Sequence, residues 1–237
     1  MIKTNIWTSS EWTHRAYQLL KGLDQFPKDK KVIVVMRHSH RYNSNNLMEH
    51  EKDKLTPLGH EIAEEFGEQL PNERLFRLFY SKVERCKETA EDIITGLNQN
   101  NVYSENSGVL DVLYDIEISR EDFYREATKY PLNQLLYRWS AGLFPETMVL
   151  PFEKYAKRAA QVIWNKFYES PKNGIDIHIS HDFIVMSLRL GWFGLNTGEN
   201  TPSFLSGFAF TFLDNKILLY DFDHFESVEI PFWWKKE

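Results

Sequence analysis

Residues Val32–Arg41 read VIVVMRHSHR, an apolar and mostly β-branched run that passes straight into two arginines and two histidines. A short continuous apolar run predicts a strand buried on both faces, as inside a parallel sheet. Such sheets carry their chemistry just beyond the carboxyl ends of the strands. Arg37, His38, His40 and Arg41 therefore fall at that edge. Two guanidiniums beside an imidazole form a local anion trap, because arginine stays protonated and offers a planar fork of donors that fits a phosphate. The alternative is a solvated basic loop.

Outward from this stretch, Thr56-Pro57 predicts a helix start, with threonine as cap and proline at the first helical position. Leu58, Ile62, Ala63, Phe66 and Leu70 form its apolar face, and Pro71 ends it. LFRLFY at 75–80 reads as a second strand. Ser81 with Glu84 has the spacing of a capping box, which opens a helix at Lys82. Val83, Cys86, Ala90, Ile93, Ile94 and Leu97 make its buried stripe, and Arg85 lies off it. In the early turns of that helix, free amides and partial positive charge would add to an anion site. The competing reading of Arg85 is a surface arginine paired with Glu84 or Glu88.

A third core strand, Ile175–Ser180, ends in His181-Asp182 and is followed by the apolar helix FIVMSLRL. Helices over 9–22, stopped by Gly22, and over 152–169 flank the sheet. Strands over 204–213 and 216–222 are joined by the turn pair Asp214-Asn215. Residues 42–55 are a polar, Asn-rich loop of the kind used as a lid or substrate contact. Residues 99–150, irregular with helical stretches near 121–129 and 131–141, read as an insertion capping the site within one domain over 1–237.

Net charge of −6 argues against general nucleic-acid binding. It leaves room for an anionic substrate, because a concave basic site acts locally. Cys86 is the single cysteine, so an intrachain disulfide is impossible, which favours a reducing, cytoplasmic setting. No stretch has the length and apolarity of a signal peptide or membrane span. The aromatic tail FWWKKE is read as packing of the chain end.

Three strand ends thus carry Arg37-His38-x-x-Arg41, Arg85, and His181-Asp182. Phosphoryl transfer needs such a set. Its transition state spreads negative charge over equatorial oxygens, so catalysis is mostly positioning and charge stabilisation, with a nucleophile and a proton donor added. The segment MRHSHR resembles the Arg-His-Gly nucleophile motif of the histidine phosphatase superfamily, and Arg41 resembles its continuation in the acid-phosphatase branch, Arg-His-Gly-x-Arg. LTPLGHEIAEEFGEQL, YSKVERCKETAEDI and ISHDFIVMSL resemble the family's next three segments, in order, the last in the His-Asp form of the acid-phosphatase branch.

This resemblance implies a three-layer α/β/α sandwich with a mostly parallel central sheet, phosphoglycerate mutase-like, with a small cap at 99–150. It implies a metal-independent phosphomonoester hydrolase that needs no cofactor and acts on a small phosphorylated substrate or a phosphoprotein. His38 would attack phosphorus and become a phosphohistidine. Arg37, Arg41, Arg85 and His181 would bind the phosphoryl oxygens. Asp182 would protonate the leaving group, with Asp111, Asp115 and Glu117 as the alternative carboxylates. Two further readings share these residues: a phosphoglycerate-type mutase, and a non-catalytic module that binds phospho-ligands. His40, His50 and His60 are not read as metal ligands, since His38 and His40 on an extended segment point to opposite faces. Ser39 departs from the usual glycine and would either crowd the turn or add a donor to phosphate. Asn43 stands where the acid branch favours proline.

Overall fold

The computed structural model describes Trp7 and residues 11–117, 119–198 and 201–234. At its centre, β1 (Val32–Arg37) is buried on both faces, as its composition requires. Val32, Val34 and Met36 enter one apolar core, and Ile33 and Val35 enter the other. β2 (Leu75–Tyr80), β3 (Ser104–Val109) and β4 (Gly174–Ser180) complete the parallel part of the sheet. β5 (Gly207–Phe212), β6 (Lys216–Asp221) and β7 (His224–Glu229) continue it antiparallel. The seven-stranded order is β3-β2-β4-β1-β5-β6-β7. The sheet is therefore mixed, parallel at its core and antiparallel along one flank. This is an α/β fold, as the sequence implies.

Helices cover both faces. α1 (Glu11–Gln25), α2 (Pro57–Glu68) and α3 (Glu84–Gln99) pack into the first core. α4 (Arg120–Ala127), α5 (Leu132–Ser140), α6 (Phe152–Glu169) and α7 (Asp182–Phe193) pack into the second. Its centre is the fully buried Trp164, against which Trp233 and Trp234 of the tail pack. Among the described residues, no helix is long and apolar enough to cross a membrane.

Four local expectations change. α1 runs past Gly22, which is no stop but a point of close contact with the ring of Tyr220. α3 opens at Glu84 behind Val83, with no side-chain cap, so the Ser81–Glu84 capping box does not form. Leu58 is left exposed on α2. Residues 99–150 are not wholly an insertion, because β3 forms the edge of the sheet.

α2 and α3 approach each other through glycine. A Cβ on Gly96 would lie 2.0 Å from the Glu64 carbonyl oxygen, and one on Gly67 would lie 2.1 Å from that of Ile93. Both obstacles are backbone, so neither can swing aside. Gly96→Ala should lower stability by roughly 1–3 kcal/mol, the usual range for overpacking. Urea unfolding checks this, and an unchanged midpoint would show that the helices slide apart freely.

Candidate active site

The parallel register sets Arg37 beside Ser180, so the residues just beyond β1 and β4 emerge together. The His38 amide donates to the Ser180 carbonyl at 2.9 Å. Buried Leu205, at φ 55°, donates its amide to the Arg37 carbonyl at 3.1 Å. A branched residue rarely holds that backbone conformation, and such strain persists only where surrounding structure enforces it. Here it clamps the end of the nucleophile strand.

The His38 side chain is held at both nitrogens. Nδ1 lies 2.7 Å from the Ser39 carbonyl oxygen, which can only accept, so Nδ1 carries the proton. Arg85 Nε donates to Nε2 at 2.9 Å. Nε2 therefore presents its lone pair. Burial, then the charges of Arg85 and Arg37, hold His38 well below the ordinary histidine value. His38 is thus a neutral imidazole of defined tautomer.

Arg85 links the two histidines. Its Nη2 donates to His181 Nδ1 at 3.0 Å, so His181 Nε2 donates in turn to Ser81 Oγ at 3.0 Å. Burial and then Arg85 hold His181 neutral as well. Arg85 Nη1 donates to the His50 carbonyl at 2.6 Å, which locks the fork. This buried arginine is not the surface residue of the alternative reading. Arg37 donates to the Pro202 carbonyl at 3.0 Å, pairs with Asp182 at 3.0 Å, and lies over the Phe204 ring at 4.3 Å. Arg37, His38, Arg41, Arg85, His181 and Asp182 all line one cavity of about 560 Å³.

A family model described as "Histidine phosphatase superfamily (branch 1)" matches residues 33–197. The chain belongs to that superfamily. No curated protein sequence matches it. Among solved structures, similarity is of fold alone. A phosphoserine phosphatase mutant from Entamoeba histolytica, in complex with phosphoserine, superposes with TM-score 0.55 and 14% identity, over 81% of this chain and 96% of that one. A mycobacterial glucosyl-3-phosphoglycerate phosphatase gives 0.51 and 13% over 84% and 98%. The product of an open reading frame of Mycobacterium tuberculosis gives 0.53 and 15% over 84% and 99%.

The match to branch 1 of the histidine phosphatases corrects the expected kinship with the acid-phosphatase branch. Arg41, which carried much of that likeness, lines the cavity. Its guanidinium is ion-paired with the buried carboxylate of Asp53, which Ser44 also holds. Arg41 reaches the cavity wall with its charge already partnered. Ser39, in place of glycine, neither crowds the turn nor serves phosphate. Its Oγ donates to the Gly59 carbonyl at 2.6 Å, and its amide donates to Thr89 Oγ1 at 3.0 Å.

Of the alternative carboxylates, Asp115 lines the cavity. Asp111 is exposed, and Glu117 pairs with Arg158. His40 bonds Thr56 and stacks on Trp12, while His60 of α2 pairs with Asp92 of α3. Cys86 is core, its thiol pushed up to about 12 by burial. Three contributors escaped the sequence reading: Ser81, Asp53 and Phe204. Ser81 carried a signal, but it was the wrong one, a local cap pattern.

Proposed function

We propose that the protein is a phosphomonoester hydrolase that works through a phosphohistidine on His38, in one domain with α4 and α5 as its cap. The carrying observation is a neutral imidazole in the cavity wall whose Nε2 lone pair accepts from Arg85. A phosphoryl oxygen accepts from a guanidinium more strongly than an imidazole nitrogen does. An entering dianion therefore takes the Arg85 donors and frees Nε2 for attack. Arg37 and Arg85 hold the equatorial oxygens, His181 joins them by turning its Nε2–H from Ser81 to the dianion, and Arg41 adds field at the wall. The P–N bond forms as the P–O bond to the leaving group breaks. Water then attacks phosphorus, giving a proton to the carboxylate that had protonated the leaving oxygen, and His38 departs with its lone pair restored.

The proton for the leaving oxygen comes from Asp182 in this reading. Asp182 lines the cavity and pairs with Arg37 at 3.0 Å, a guanidinium for which a bound dianion competes. Asp115 is the second reading, because it shares the cavity wall.

The test is alkaline quenching of turnover with labelled aryl phosphate in the presence of a chelator. Label should appear on the wild-type chain. Saturable binding without label would replace the hydrolase with a binding module, and transfer to a second alcohol without net release would indicate a mutase. Asp182→Asn should slow alkyl esters about 10²-fold or more and nitrophenyl esters far less, since a good leaving group needs no proton. That signature in Asp115→Asn instead would move the acid there.

A further inference from the structure

We propose that this cavity selects phosphomonoesters whose alcohol part is an apolar body, an alkyl chain or aromatic ring, over small hydroxylated esters. The inference rests on the phosphatase reading above. The cavity is about 560 Å³. That is the size of a site for a drug-sized ligand, far more than a phosphoryl group fills. The excess volume has a distinct chemistry.

Its far wall is built by Phe123, Tyr124 and Ala127 of α4, Leu132 and Leu135 of α5, and Phe183 of α7. The wall is continuous with the phosphoryl site. The Tyr114 ring lies 5.2 Å from that of His181, edge to face. Phe183 follows Asp182 directly and meets Phe123 at 5.5 Å. An ester oxygen held near His38 and His181 thus projects its carbon along Tyr114 and Phe183.

The lining offers few partners for the opposite preference. Among the described residues, no serine, threonine, asparagine or glutamine lines the cavity. Sugar and polyol hydroxyls are recognised by amide, hydroxyl and carboxylate groups, which this lining offers, beyond the phosphoryl end, only as Glu51, Asp115 and the hydroxyls of Tyr114 and Tyr124. Away from the phosphoryl end, the charged lining residues are Glu51, Lys82 and Asp115. The Lys82 ammonium is laid over the Tyr114 ring at 5.4 Å, so its charge is directed at that ring.

The experiment compares kcat/KM for n-alkyl phosphates from ethyl to hexyl, 2-naphthyl phosphate, glycerol phosphate and phosphoserine. Each buried methylene should raise kcat/KM about threefold to fourfold, hence on the order of 100-fold from ethyl to hexyl. Phe123→Ala should flatten that gradient. In parallel, calorimetry measures the binding of methyl- and hexylphosphonate to the wild-type protein, which needs no turnover and no variant. Hydrolysis with a flat series, or a preference for glycerol phosphate or phosphoserine, overturns the inference and leaves the phosphatase standing. No hydrolysis of any ester, with hexylphosphonate bound far more tightly than methylphosphonate, sinks the phosphatase and keeps the apolar selectivity. Equal binding of the two phosphonates overturns the inference in either case.

Discussion

His38→Ala should lose at least about 10⁴-fold in kcat on p-nitrophenyl phosphate, measured with a chelator present. Removing the nucleophile of a covalent mechanism costs up to about 10⁶ in comparable hydrolases, with the residue of catalysis left to binding and charge stabilisation. That residue should be appreciable here, since Arg37 and Arg85 remain. The loss should fall on kcat more than on KM, because His38 contributes to bond formation while the arginines hold the dianion. The variant should also stay folded. His38 is anchored by its own backbone amide to Ser180 and by Leu205 to the strand end, contacts that alanine keeps. Arg85 loses one acceptor and retains the His50 carbonyl and His181. Full activity in His38→Ala would remove the phosphohistidine from the mechanism. Loss of activity together with loss of the thermal transition would say only that the imidazole supports the fold, so both must be recorded.

The nucleophile strand was legible because its physics is local. Alternate residues of Val32–Met36 feed two cores, and an apolar run that ends in charge can only place that charge at an edge. Arg85 was legible for the opposite reason: it interrupts nothing on the buried stripe of α3, yet sits in the first turn. β3 and β7 were not legible. SENSGV and HFESVE lie at the two edges of the sheet, largely solvated, and lack the alternation that marks a half-buried strand. Ser81 shows how a sound local rule fails. Its spacing to Glu84 favours a cap, but His181, a hundred residues away in sequence, takes the hydroxyl instead. The partner of Arg41 was out of sight in the same manner. Nothing in its neighbourhood of the sequence announces that Asp53 will fold back to pair with it. The branch of the superfamily was misread because it was judged on Arg41 and the His-Asp pair, two short features, whereas the matching model spans residues 33–197.

Acid should destabilise this protein steeply as pH falls below about 6.5, the ordinary histidine value from which three buried imidazoles depart. His38 and His181 are held well below it, and His178 is pulled down to about 4, in each case chiefly by burial. His178 is stacked on Phe79 at 5.0 Å with Nδ1 3.2 Å from the Val34 carbonyl. Asp176 and Arg77 act on it with opposite signs. Each group has a folded-state pKa below its unfolded value, so between the two the unfolded chain holds the extra proton. Stability then rises with pH and falls with acid, by about 1.4 kcal/mol per pH unit for each histidine. Three such groups together give about 4 kcal/mol per unit near pH 5, a large part of the roughly 5–15 kcal/mol that holds a domain folded. Asp92, raised to about 6 mainly by burial, works in the other direction. It is one partly solvated group against three enclosed ones, and solvent screening discounts it further. Urea unfolding from pH 7 to pH 4.5 measures the slope, and His178→Leu should reduce it by one proton, about 1.4 kcal/mol per unit. A slope near zero across that range would mean that these imidazoles are solvated or already charged, and the neutral His38 on which nucleophilic attack depends would be lost with them.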